Sequence, residues 1–323
     1  MAQITKGTEG ISSQSHTDLL SKLPTREGWS GPLVLYKNYW FRPPFLENIM
    51  RLQNSFKARH DDIILVSNPK CGTIWLKALA FTIINRSRFD FDHHPLLTHH
   101  PQRVVPFIEI FQGNNDLSNI EKLPSPRLLA THMPLSLFPE SLATSNCLIV
   151  YLCRDPKDVF VSRWHFDNKI VVGYNKIDLE VAFNMFCEGF SENGPFWDHC
   201  LEYWKESITK PEKFLFIKYE NMKSDPMKHV IRLAEFIGVP FSDKEQQDGV
   251  PEEVVRLCSF DNLSGLKTNQ IGELSRDDRI VLERSAFFRE GKVGDWVNHM
   301  SQEMGRKLDH IVEEKLKGSG LVL

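Results

Sequence analysis

Lys70, His132, Arg154 and Tyr219 are the side chains of this sequence best suited to hold and work on an anion. Each follows a short apolar run. A lysine is a point charge for a developing oxyanion. An imidazole titrates near neutrality and can take a proton from a hydroxyl. A guanidinium grips a phosphate with paired hydrogen bonds. A tyrosine can stack on a ligand or donate to it. Singly, each has an ordinary reading: a surface lysine, a packed histidine, an arginine paired with Asp155 or Asp158, a tyrosine capping a sheet.

The surroundings of these residues sharpen the chemistry. Lys70 lies in Asn68-Pro69-Lys70-Cys71-Gly72-Thr73-Ile74-Trp75. Gly72 permits close approach of the backbone, and the helix that follows offers unpaired N–H groups and a positive dipole end. The nucleoside-triphosphate loop G-x-x-x-x-G-K-[ST] is absent, so a kinase or NTPase reading lacks its central element. Ser162 lies eight residues after Arg154, about two helical turns on and on a similar face. Residues 287–296, "FFREGKVGDW", combine two glycines, two cations and two anions, as a loop folded over a ligand would.

The elements that must position these groups are four buried strands, at 62–67, 127–131, 147–153 and 214–219. Their runs are continuously apolar rather than alternating, as parallel strands covered on both faces should be. Helical patterns follow the first, third and fourth strands, the last stopping at Gly238, and another covers 179–190. This alternation predicts an α/β fold: one domain with a central parallel sheet flanked by helices and a P-loop-like turn after its first strand. Ligands of such sheets bind at the carboxyl ends of the strands, where the four candidates sit.

The chain has 323 residues and a net charge of -3, so any anion site must be local rather than a nucleic-acid surface. Its six cysteines form no C-x-x-C pair, which suits reduced thiols in the cytosol. Residues 1–16 are polar and lack the apolar core of a secretion signal; a disordered arm is expected there, with the domain spanning 17–323. No apolar run reaches membrane-spanning length.

The motifs together resemble the plant branch of the soluble, cytosolic sulfotransferases over nearly the whole chain. "NPKCGTIWLKAL" is similar to the family's 5′-phosphosulfate loop, "CRDPKDVFVSRWHF" to its 3′-phosphate segment and "FFREGKVGDW" to its C-terminal signature. "PFWDHCLEYW" and "LFIKYENMKSDP" match as well. The resemblance implies a co-substrate, 3′-phosphoadenosine 5′-phosphosulfate (PAPS), with product PAP and no metal. It implies that Lys70 stabilises the leaving oxygen and that the segment Cys71, Gly72, Thr73 and Ile74 cradles the 5′-phosphate. Trp75 and Phe260 would sandwich adenine, with Tyr219 beside it. Arg154, Ser162, Arg289 and the Glu290-Gly291 backbone would hold the 3′-phosphate. His132 would be the general base for a small hydroxylated acceptor of flavonoid, brassinosteroid, hydroxyjasmonate or desulfoglucosinolate type. The aromatic-rich segments "YKNYWFRPPF" and "VVPFIEIF" are candidate acceptor walls.

The sequence departs from the family at Cys71 for serine, Ile74 for threonine and Glu290 for lysine. Each lost neutral contact should cost on the order of 1 kcal/mol of nucleotide affinity. A non-catalytic PAPS-binding protein is the alternative these departures leave open. The family's dimer motif falls on "VNHMSQEMGR", where Val297, Ser301, Gln302 and Arg306 all differ, so a monomer is expected.

Overall fold

The computed structural model describes residues 18–110, 117–170, 176–276 and 281–323. The expected N-terminal arm lies outside the described residues. Early among the described residues stands an antiparallel sheet that the sequence reading did not anticipate: β1 (Thr25–Gly28), β2 (Gly31–Tyr36) and β3 (Tyr39–Phe41). Helix α1 (Pro43–Ser55) starts on two prolines, which suit a first helical turn whose N–H groups need no partner.

The central sheet follows the expected strands to within a residue. It comprises β4 (Ile63–Ser67), β5 (Leu128–Thr131), β6 (Leu148–Cys153) and β7 (Phe214–Lys218). All pairs are parallel and the spatial order is β5-β4-β6-β7. Both faces are covered, which explains the unbroken apolar runs. On one side Ile64, Val66, Tyr151 and Phe216 meet α1, α3 (Pro156–Ile170), α4 (Leu179–Cys187) and α5 (Phe196–Thr209). On the other, Leu65, Val150, Leu152 and Ile217 meet α2 (Thr73–Asn85), α6 (Pro226–Phe236) and α7 (Val250–Leu257). Each fully buried aliphatic side chain contributes roughly 1.5–3 kcal/mol, so neither face can shift register without exposing a whole row. A short pair, β8 (Glu273–Arg276) with β9 (Val281–Glu283), and the C-terminal helix α8 (Gln302–Leu316) follow, with shorter helical segments such as Tyr219–Ser224 and Phe260–Gly265 between the main elements.

The chain leaves β4 toward β5 and leaves β6 toward β7, in opposite directions. The crevice for a ligand therefore opens between the carboxyl ends of β4 and β6.

Candidate active site

A cavity of about 890 Å³ opens at that crevice. Among its lining residues are Lys70, Gly72, Thr73, Ile74, Trp75, His132, Arg154, Ser162, Tyr219, Phe260, Arg289, Glu290 and Gly291. Thus all the sequence-predicted site residues but one share a single hollow.

The exception is Cys71. Its side chain is fully buried in the apolar layer beneath the sheet, where burial pushes the thiol pKa well up. It does not line the cavity, so substituting cysteine for serine there removes no side-chain contact to a ligand. The expected affinity loss at this position is corrected on that ground.

The loop after β4 is built around two left-handed residues, Lys70 (φ 70°) and Gly72 (φ 104°). A Cβ on Gly72 would stand 2.8 Å from the Tyr219 ring, so only glycine fits between loop and ring. The Thr73 and Ser67 hydroxyls are 2.6 Å apart, tying the first helical turn to the strand end. Asn68 donates from its side chain to the Asn193 carbonyl at 3.0 Å, and the Asn193 N–H donates to Trp40 at 2.7 Å. The loop is thereby tied to the N-terminal sheet. The Lys70 ammonium lies 4.0 Å from the Phe166 ring centroid. Burial lowers its pKa to about 7; Asp167 opposes this, while Arg154, Arg289 and Arg163 add to it.

His132 ends β5 and is fixed on three sides. Its N–H donates to Glu109 Oε1 at 2.7 Å, its carbonyl accepts from His199 Nε2 at 3.0 Å, and Nδ1 meets the Ser67 carbonyl at 2.6 Å. A carbonyl only accepts, so Nδ1 carries the proton and Nε2 keeps its lone pair. Burial lowers the imidazole pKa to about 3, so the ring is neutral at physiological pH. Glu109 was not singled out from the sequence. It is the lone charge in the apolar segment "VVPFIEIF", and that was its signal. It lines the cavity, burial raises its pKa to about 7, and its Oε2 has no hydrogen-bond partner among the described residues.

Across the cavity, Arg154 resolves the two readings left open by its sequence. It does pair with Asp158, at 3.1 Å, yet it also lines the cavity; a second bond runs to the Lys292 carbonyl at 2.6 Å. Asp158 further accepts the N–H groups of Gly294 (2.8 Å) and Trp296 (3.1 Å). Between those two residues sits Asp295, which pairs with Arg289 at 2.6 Å. One buried carboxylate thus joins the strand-end arginine to the loop that bears the other. The Nε atoms of Arg154 and Arg289 are buried without hydrogen-bond partners among the described residues, a deficit that a polyanion would meet. Gly291 (φ 63°) lies so close to Phe260 that a Cβ would stand 2.4 Å from its ring. Glu290 is exposed and pairs with Lys292 at 3.3 Å.

Trp75 and Phe260 flank a second small cavity of about 100 Å³, with Lys223 and Pro226 at its edge. Tyr219 sits edge-on to Trp75 at 5.5 Å and beneath the Arg154 guanidinium at 4.5 Å. Of the expected acceptor walls, Arg42, Phe45, Pro106, Phe107, Glu109 and Ile110 line the large cavity. Tyr39 and Phe41 are core instead, and Trp40 packs against Phe190.

A parallel sheet thus gathers a Lys-Gly loop after β4, a histidine after β5 and two arginines around a C-terminal loop on one cavity. The chain belongs to the sulfotransferase family: residues 60–320 match its sulfotransferase domain. It is 44% identical to cytosolic sulfotransferase 17 of Arabidopsis thaliana over 315 residues, 96% of this chain and 91% of that one. It is 45% identical to the flavonol 3-sulfotransferase of Flaveria bidentis, covering 90% and 93%. Among solved structures it is similar to an Arabidopsis thaliana sulphotransferase, with TM-score 0.76, 37% identity and full coverage of both chains. A mouse sulfotransferase complexed with PAP gives TM-score 0.68 and 25% identity, over 89% and 95%. The protein is accordingly a sulfotransferase. No helix among the described residues is long and apolar enough to cross a membrane.

Proposed function

We propose that this sulfotransferase moves a sulfuryl group from PAPS to a hydroxyl of a small organic acceptor, with His132 as general base. The carrying observation is the His132 hydrogen bond to the Ser67 carbonyl, which places the ring proton on Nδ1 and leaves the Nε2 lone pair free, in a residue that shares its cavity with Lys70. PAPS supplies the sulfuryl group. The chain's own residues do the rest. Nε2 takes the acceptor's proton as its oxygen attacks sulfur, and the Lys70 ammonium stabilises charge gathering on the leaving phosphate oxygen. The backbone at Gly72 and the hydroxyl of Thr73 hold the 5′-phosphate, with Ile74 alongside. Arg154, Ser162, Arg289 and the Glu290-Gly291 backbone hold the 3′-phosphate. Trp75 and Phe260 take the adenine between them, with Tyr219 at its edge. Positioning and charge stabilisation supply most of the rate, as in phosphoryl transfer.

The mouse structure complexed with PAP and the unpartnered Nε atoms of Arg154 and Arg289 support the donor. Relatives named for flavonols support a flavonoid acceptor, alongside the brassinosteroid, hydroxyjasmonate and desulfoglucosinolate types. The same reading gives one domain over 17–323, a monomer, in the cytosol, where relatives bearing that word in their names act.

Calorimetric titration with PAP and with ATP, both without Mg²⁺, tests the nucleotide site; selective PAP binding is expected and equal binding refutes it. His132→Ala should lower kcat by roughly 10²–10⁴ while PAP affinity holds. Undiminished turnover would remove His132 as the base.

A further inference from the structure

Asp167 lies on α3, one turn beyond Arg163, in the cavity wall and only 5% exposed. No described residue donates a hydrogen bond to it. Its one ion-pair contact is Arg163 Nε at 3.7 Å, beyond hydrogen-bond reach, and that Nε is itself unpartnered. The remaining nitrogens of Arg163 serve Glu192: Nη1 donates to its carbonyl at 2.6 Å and Nη2 faces Oε2 at 3.3 Å. Glu192 Oε2 also takes Arg42 Nε at 3.0 Å. The ionic chain Arg42–Glu192–Arg163 closes without Asp167. What remains is a buried carboxylate lining the cavity that accepts no hydrogen bond from the described residues. Such a group is costly to keep unless a ligand satisfies it.

Local charge selects the ligand group. Arg42, Arg163 and Lys70 face Asp167 and Glu192 across this part of the cavity, so cations already match or exceed anions. An ammonium would meet Arg42, Arg163 and Lys70 as like charges, and a carboxylate would meet Asp167 and Glu192 in the same way. A neutral O–H donor fits both constraints. We propose that Asp167 is an acceptor subsite that receives the hydrogen bond of a second hydroxyl, remote from the one transferred at His132. The favoured acceptors are then apolar scaffolds carrying at least two separated hydroxyls. Phe166, Ile170, Phe287 and Phe107 supply the apolar surface for such a scaffold. The unpartnered Oε2 of Glu109, on another wall, independently marks the cavity as short of donors.

This inference rests on the transfer reaction proposed above, and its test separates the two. At saturating PAPS, kcat/KM is measured for a polyhydroxylated flavonol and for a steroid diol. Each is run beside analogues in which one hydroxyl remote from the sulfated position is replaced by hydrogen. The better scaffold identifies the source of the hydroxyl pair. In the wild type, deleting the hydroxyl that reaches Asp167 should lower kcat/KM at least tenfold. In Asp167→Ala the same deletion should change it less than threefold. Asp167→Asn, whose amide oxygen still accepts, should fall between and guards against a variant that fails to fold. A wild type indifferent to every deletion overturns the subsite, as does an undiminished penalty in Asp167→Ala. No transfer to any acceptor by a wild type that binds PAP overturns the transfer reading, and the subsite with it.

Discussion

Replacing Asp158 should loosen the grip on the nucleotide's 3′-phosphate without touching the rest of the nucleotide. Asp158 is 1% exposed and accepts three hydrogen bonds, from Arg154, Gly294 and Trp296. Two of them pin the loop on either side of Asp295, and Asp295 in turn orients Arg289. Alanine breaks a buried ion pair and leaves two amides without acceptors, a stability loss of roughly 3–5 kcal/mol. Asparagine keeps the shape but places N–H groups against N–H groups, giving up at least one charge-assisted bond worth about 1.5–3 kcal/mol. If that loss appears as one misplaced guanidinium, PAP affinity falls roughly ten- to hundredfold. The assay is calorimetry of Asp158→Asn with PAP and with 5′-AMP, which lacks the 3′-phosphate. PAP binding should weaken by that factor and AMP binding should stay within about twofold of wild type. Equal weakening of both ligands, or of neither, refutes the idea that this carboxylate organises the 3′-phosphate clamp.

Two further outcomes are expected. With the Lys70 pKa lowered to about 7 by burial, the free protein loses the ammonium as pH rises through neutrality, whereas a bound phosphate favours the charged form. PAP affinity should therefore decline above pH 7, and binding at pH 8.5 should take up close to one proton, measured calorimetrically in buffers of different ionisation enthalpy. Lys70→Met should abolish the uptake, and a wild type without uptake would contradict the assignment. Ile74 lines the cavity on the first turn of α2, so Ile74→Thr should tighten PAP by up to about 1 kcal/mol, near fivefold in titration; unchanged or weaker binding would show that no hydroxyl is missing there.

The central sheet was legible because burial on both faces writes itself as uninterrupted apolar runs, and β4, β5, β6 and β7 fall where those runs do. The site followed from the sheet, since Lys70, His132, Arg154 and Tyr219 each sit at a strand end. The N-terminal sheet was not legible. Its strands are three to six residues long, and Thr25–Gly28 is mostly exposed, leaving no periodic signature. The direction of the Cys71 side chain was equally hidden, because the left-handed residues on either side of it turn the chain in a way spacing alone does not encode. Glu109 and Asp167 escaped notice for another reason. Their importance lies in how few hydrogen bonds they receive from the described residues: Glu109 Oε2 has no partner there, and Asp167 has only the 3.7 Å contact to Arg163, which is a property of three dimensions.

The tie from Asn68 through Asn193 to Trp40 bears on where this enzyme begins as a working unit. The family match starts at residue 60, and every residue assigned to the nucleotide lies after it. Arg42, Phe45 and Ile49, which wall the cavity, lie before it, as does the backbone that meets Asn193. The matched domain and the working cavity therefore have different borders in this chain. A fragment cut at the domain border would keep every residue assigned to the nucleotide and lose part of the cavity wall.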